Sequence, residues 1–257
     1  MTLDPPDPGS TGLIPTPDEI AALLQVEHLL DQRWPETKIE PSLTRIAALM
    51  DLLGSPQRGY PSIHIAGTNG KTSVARMVDA LLTALQRRTG RTTSPHLQSA
   101  VERIAIDGQP ISPAKYVATY AELEPFVQMI DQQSQASGGP AMSKFEVLTA
   151  MAFAAFADAP VEVAVIEVGL GGRWDATNVI NAPVAVITPI SVDHVEYLGA
   201  DIAGIAGPFL RAANAGFDEA CDLARELTEV IRVAMFCIGA RTIADLRSTT
   251  RLHPVTA

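Results

Sequence analysis

Little in this chain suits a membrane, a nucleic acid or an extracellular disulfide framework. No apolar run in its 257 residues approaches the ~20 that cross a bilayer, and no basic-then-apolar leader segment opens it. Cysteine is nearly absent: Cys221 and Cys237 form no C-x-x-C pair, and two thiols in a chain of this size suggest a reducing compartment. Positive charge is also short. A formal net charge of -10 repels a nucleic-acid backbone or an anionic lipid surface on average, so any bound anion must be gathered by local geometry. These absences point to a globular cytoplasmic protein with small-molecule partners, no nucleic acid and no membrane. At 47% hydrophobic residues, the chain is long enough to bury a substantial core, in one large or two small domains.

The first fifteen residues are rich in Pro, Asp, Gly and Ser, lack apolar periodicity, and read as a disordered tail. "TPDEIAALLQVEHLL" then offers Thr16 as a cap, Pro17 at the first helical position, and Asp18 and Glu19 where the helix dipole favours carboxylates. A helix is expected from about Pro17 to Trp34, and a second through "PSLTRIAALMDLLG", ended by Gly54. "PSIHIAG" reads as a short buried strand, and the helix after "GKTS" carries Val74, Met77, Val78, Leu81, Leu82 and Leu85 on one face.

Between that strand and that helix stands "GTNGKTS". Glycines let successive N–H groups and a helix N-terminus point at a phosphate, a lysine adds a point charge, and a hydroxyl can meet Mg²⁺. Gly67, Gly70, Lys71, Thr72 and Ser73 fill those roles, with Thr68 and Asn69 between the glycines. The loop is a shortened variant of G-x-x-x-x-G-K-[ST], since Ile65 occupies the first glycine's usual place. A bare "NGK" would read equally well as a turn with an exposed lysine; the strand before it and the helix after it favour phosphate binding.

Further polar residues fall where strands end. "TTSPHL" places Ser94 and His96 in a loop, and the alternation through Ile104 and Ile106 suggests a hairpin. "SKFEVLTAMAFAAFA" is an apolar helix led by Lys144 and Glu146. "VEVAVIEVGLGG" delivers Glu167 from a strand, and "VAVITPISVDH" delivers Asp193 and His194 from another. In open α/β sheets ligands sit at that edge. Singly, Glu167 could cap a neighbouring helix, His194 could be an ordinary satisfied histidine and "SPHL" a proline-fixed turn. Beside a phosphate loop, Ser94, Glu167 and His194 form a ligand set of the kind a phosphate-bound Mg²⁺ accepts. The fold expected is α/β, a mostly parallel sheet flanked by helices.

"HIAGTNGKTS", "TTSPHL", "IEVGLGGRWDATN" and "SVDHVEYLG", in this order, resemble folylpolyglutamate synthase/dihydrofolate synthase, a branch of the Mur ligase family, over about residues 16–206. The resemblance implies a phosphate-loop central domain and an ATP-dependent ligase that joins L-glutamate to a folate or dihydropteroate carboxylate through an acyl phosphate. It implies ATP and Mg²⁺ as cofactors, and a monomer is expected. Gly67, Thr68, Asn69, Gly70, Lys71, Thr72, Ser73 and Asn178 would hold the nucleotide, with Ser94, Glu167 and His194 on the metal and Lys71 and His194 at the reacting centre. The loop from Trp174 to Asn178 would lie near the pterin and nucleotide sites. Where the family reads "GKGS" this chain has "GKTS", which keeps Ser73 and adds a hydroxyl.

After Gly207 the resemblance stops: Pro208 and Phe209 stand where Glu and Lys are expected. The family's lysine-bearing "IAGEKAGI" segment and its C-terminal ligase domain are then absent. Residues 207–257 are similar instead to the C-terminal end of a type 2 isopentenyl-diphosphate isomerase, or else form an ordinary amphipathic helix from about Asp218 to Gly239. The expected organisation is a tail at 1–15, a partial ligase domain at 16–206 and an unrelated helical tail at 207–257. A nucleotide-binding remnant without turnover is the alternative to an active ligase, and a phosphate-loop switch or kinase a more distant one.

Overall fold

The computed structural model describes residues 15–33, 42–171 and 174–189. The expectations for Asp193, His194 and residues 207–257 lie outside them.

Helix α1 (Pro17–Asp31) begins where the capping signals place it: the Thr16 hydroxyl accepts from the Glu19 N–H while the Glu19 carboxylate accepts from the Thr16 N–H. Helix α2 (Thr44–Leu52) follows, then strand β1 (Ser62–Ala66), helix α3 (Lys71–Ala84) and strand β2 (Thr89–Thr92). A short 3₁₀ turn at Ala100–Arg103 leads into the hairpin of β3 (Ile104–Ile106) and β4 (Gln109–Pro110). Helices α4 (Pro113–Ala136) and α5 (Lys144–Asp158) and strands β5 (Val163–Glu167) and β6 (Val184–Ile187) follow, with further short 3₁₀ turns at Pro56–Arg58 and Ala176–Val179. The sheet order is β4-β3-β2-β5-β1-β6. Strands β2, β5, β1 and β6 run parallel, and the hairpin adds an antiparallel edge beside β2.

Alternation along β5 divides the interior. Ala164 and Ile166 join the larger apolar cluster built with α1, α2, α4 and α5, whereas Val165 packs with Ile65 of β1 and Ala75 of α3. Helix α3 thus covers one face of the parallel strands and the other four helices belong to the opposite one. Glu167, two residues beyond Val165, shares the α3 side.

Two local expectations need revision. The apolar residues of α3 do not act as one face: Val74, Val78 and Leu82 pack on the sheet, while Met77, Leu81 and Leu85 are 58%, 66% and 71% exposed. The second row is rotated by about one residue's turn from the first, so the stripe is wider than the surface this sheet covers. Helix α4, at 24 residues, was not anticipated. Its signals are present nonetheless: Ser112 caps it, Pro113 opens it, and Tyr116, Tyr120, Leu123, Val127 and Ile130 recur at helical spacing as its buried stripe.

Candidate phosphate and metal site

The carboxyl ends of β1, β2 and β5 bring three loops together. After β1 the chain turns through Gly67 at φ +131° and Gly70 at φ +83°, a region only glycine enters readily. At Gly67 a side chain is excluded twice over, because a Cβ there would stand 2.1 Å from the Thr188 hydroxyl oxygen. The N–H groups of Thr68 and Asn69 both donate to the Pro189 carbonyl at 3.1 Å, which fixes the loop against the chain that follows β6. Gly70 is the N-cap of α3, and no side chain caps that end of the helix. Its first-turn N–H groups are therefore the ones left for an anion. Lys71 folds back over the loop, donating from Nζ to the Gly67 carbonyl at 2.8 Å and the Thr68 carbonyl at 3.4 Å.

Glu167, only 3% exposed, is shared by the other two loops. The Thr72 hydroxyl donates to its Oε1 at 2.8 Å, and the Ser94 backbone N–H donates to its Oε2 at 3.3 Å. Burial pushes this carboxyl above the ordinary glutamate range, opposed by those two hydrogen bonds and by the Lys71 and Arg91 charges. Ser94 is positioned by a cis bond to Pro95.

A second buried carboxylate stands nearby in the chain. Asp175 accepts from the Leu170 N–H at 2.7 Å, the Thr177 N–H at 3.0 Å and the Thr177 hydroxyl. Since the Thr177 hydroxyl spends its proton on Asp175, the 2.8 Å contact to His64 Nε2 makes that nitrogen the donor. Burial raises the Asp175 pKa, against hydrogen bonds from Thr177 and from the Leu170 and Gly169 N–H groups. This network joins Leu170 to the Asp175–Asn178 turn and ties that turn to β1 through His64. The Asn178 N–H closes the turn on the Asp175 carbonyl at 2.9 Å.

The structure thus brings together Lys71, Thr72, Ser94 and Glu167. It leaves Asn178 on the neighbouring loop, and Asp193 and His194 are outside the described residues. Among the described residues no group of three or more His, Cys, Asp and Glu could hold a metal. The donor set still fits Mg²⁺, which takes one or two carboxylates and leaves other positions to phosphate and water. Glu167 supplies an oxyanion and Thr72 a hydroxyl already at its edge. Sequence reasoning counted Thr72 among the phosphate residues without seeing its bond to Glu167. It also missed the Asp175–Thr177–His64 network, for which two motif residues and a strand histidine give no joint signal. His96 from "SPHL" accepts at Nδ1 from Arg103 Nε at 2.9 Å; burial first, and then Arg103 and Lys144, lower its pKa.

Residues 65–206 match the Mur ligase middle domain. The chain is 77% identical over 239 residues to the dihydrofolate synthase/folylpolyglutamate synthase of Mycobacterium tuberculosis, covering 90% of this chain and 49% of that protein. That share exceeds what residues 1–206 alone could supply. The Bacillus subtilis dihydrofolate synthase/folylpolyglutamate synthase is 39% identical over 170 residues, covering 66% of this chain and 39% of its own. Among solved structures, Mycobacterium tuberculosis folylpolyglutamate synthase complexed with ADP superimposes with a TM-score of 0.69 and 86% identity over 74% of this chain and 41% of that one. The chain spans about half the length of the curated relatives it matches. With its glycine turn between β1 and α3, its parallel strands and the Glu167 carboxylate at their carboxyl edge, this chain belongs to the Mur ligase family and carries that family's middle domain.

Proposed function

We propose that this chain is the nucleotide-handling part of an ATP-dependent ligase that adds L-glutamate to a folate or dihydropteroate carboxylate. The observation that carries the reading is the Glu167 carboxylate held between the phosphate-loop helix, through Thr72, and the Ser94 loop. A carboxylate shared by those two loops supports a site where a phosphate chain and its counter-ion would meet.

A carboxylate is a poor acyl donor at neutral pH because oxide is a poor leaving group. Attack of a substrate carboxylate oxygen on the γ-phosphorus breaks the bond to the β-phosphate oxygen, releases ADP and leaves an acyl phosphate. The glutamate amine then attacks the acyl carbon, expels phosphate and loses a proton, which completes the amide. In this chain the Gly67–Gly70 loop and the α3 N-terminus would bind the phosphates. Lys71 would leave its two loop carbonyls to meet the anion, and Glu167 with Thr72 and Ser94 would hold Mg²⁺, joined by His194. Bound there, Mg²⁺ supplies charge neutralisation for the transferring phosphoryl group. Asn178 would reach the nucleotide from the loop that Asp175 shapes. The scarcity of cysteine supports a cytoplasmic setting.

The test is thermal unfolding with and without ATP and Mg²⁺, paired with ADP release in the presence of a pterin acid and glutamate. Lys71→Ala should abolish the ATP-dependent rise in Tm while changing the ligand-free Tm little, because the hydrogen bonds of Lys71 among the described residues go to two carbonyls of its own loop. An equal ATP shift in the variant and the parent would overturn the phosphate assignment. A lysine-dependent shift without glutamate-dependent ADP release would leave nucleotide binding and remove the ligase activity.

A further inference from the structure

Thr188, the residue after β6, carries a hydroxyl that no contact explains. The residue is 5% exposed, and its Oγ1 is buried with no hydrogen-bond partner among the described residues. Three backbone bonds fix where that oxygen sits: the Thr188 N–H donates to the Ala66 carbonyl at 2.8 Å, and the Pro189 carbonyl accepts from the Thr68 and Asn69 N–H groups at 3.1 Å each. Gly67 is thus bracketed by residues tied to Thr188 and Pro189. A Cβ on Gly67 would stand 2.1 Å from Oγ1, so with a carbon–carbon bond of ~1.5 Å the hydroxyl lies within about 3.6 Å of the Gly67 Cα. The carbonyl on that same carbon accepts one hydrogen bond among the described residues, from Lys71 Nζ at 2.8 Å. Gly67 therefore meets an unused donor in Thr188 and, in Lys71, a donor that a phosphate would draw away.

We propose that Thr188 is a positioning residue of the phosphate loop, whose hydroxyl becomes the donor to the Gly67 carbonyl when Lys71 turns to an anion. This rests on the nucleotide reading of the loop. Packing alone does not call for a hydroxyl here, since valine has the same shape and no polar atom to bury. An unpaired buried hydroxyl costs the ligand-free protein stability, and the exchange recovers that cost only when the loop holds phosphate. Without Thr188, the departing lysine would leave the Gly67 carbonyl bare. With it, that carbonyl keeps one donor in both states, and the turn at Gly67 need not reshape as the lysine moves.

The experiment is thermal unfolding of the full chain, alone and titrated with ATP and Mg²⁺, for Thr188→Val, Thr188→Ser, Lys71→Ala and the double variant of Lys71→Ala with Thr188→Val. Thr188→Val should leave the ligand-free Tm equal or higher, because it deletes an unpaired polar atom. It should also raise the ATP concentration that gives half of the Tm rise about tenfold, as one hydrogen bond is missing from the bound state. Thr188→Ser should titrate like the parent. Without the lysine, the Gly67 carbonyl needs the hydroxyl even in the absence of nucleotide, so Thr188→Val should lower the ligand-free Tm in the Lys71→Ala background and not in the parent. A lower ligand-free Tm for Thr188→Val alone would show that the hydroxyl is already bonded and would overturn the proposal. An unchanged ATP titration, or equal ligand-free effects in the two backgrounds, would overturn it as well. The ligand-free comparison uses no nucleotide, so it holds or fails apart from the phosphate assignment, which falls if Lys71→Ala keeps the parent's ATP response.

Discussion

Two buried carboxylates lie a few residues apart in sequence, and their surroundings differ in kind. Asp175 takes its donors from its own loop: Leu170, Thr177 and the turn it caps. Glu167 takes its donors from two other segments, the Thr72 hydroxyl and the Ser94 N–H. Burial raises the pKa of both. The difference is in what each would lose on acquiring a new partner. Asp175 is committed to a local turn and would have to break it, whereas Glu167 spans a junction of loops and keeps lone pairs for a cation. A buried carboxylate closed by its own loop holds that loop; one shared between loops keeps acceptor capacity for a further partner.

The sharpest way to break this contrast is Asp175→Asn. An amide nitrogen would then face N–H donors, and the loss of unfolding free energy should be about 1–3 kcal/mol with or without ATP. Urea unfolding measures it, and an unchanged midpoint would deny Asp175 its structural role. Glu167→Gln should behave oppositely: the ligand-free fold holds its stability at neutral pH, while Mg²⁺ no longer enhances the ATP-dependent Tm shift. If this variant were as destabilised as Asp175→Asn, the two carboxylates would not differ as argued.

A smaller effect concerns pH. Both carboxyls have folded-state pKa values raised by burial, so above the unfolded-chain values of about 4 the native state retains protons that the unfolded chain has released. Their contribution to stability therefore falls as pH rises through the window up to the folded-state values. Glu167→Gln should flatten that decline; an identical pH profile for variant and parent would contradict it. The smallest effect is expected from Thr72→Val, about 1 kcal/mol or less in stability together with a weaker Mg²⁺ requirement curve, and Thr72→Ser should restore both.

The meeting of Lys71, Thr72, Ser94 and Glu167 was legible in part because a glycine turn between a strand and a helix is a local pattern. Gly67, Gly70 and Lys71 fall within five residues, Ser94 follows a short strand and Glu167 follows an apolar run. Their meeting could be inferred from the rule that parallel strands present their carboxyl ends together. The bond between Thr72 and Glu167 could not, since it depends on Glu167 sharing the α3 side of β5, which register and not composition decides. Helix α3 shows the same limit. Periodicity identified its apolar residues, but only the sheet's width separates packed Val74 and Val78 from exposed Met77 and Leu81. Helix α4 carries its start signals in Ser112 and Pro113, but Pro125 and a polar C-terminal third dilute its apolar periodicity.

The position of β1 in the sheet sets a timetable for the nascent protein. Its neighbours are β5 and β6, with Ser62 opposite Ala164 and Ile63 opposite Val184. Helix α3, strands β2 to β4, and helices α4 and α5 are all synthesised between β1 and its first partner. At about 5–20 residues per second, β1 and its phosphate loop wait roughly 5–20 s on the ribosome before β5 has even been made. During that interval both edges of an apolar strand are unpaired, and closing so long a connection precedes any reward from pairing. The segment that would grip nucleotide is made long before the strands that secure it, so ATP binding before β5 emerges should not nucleate this fold, and chaperone dependence should follow from topology more than from composition.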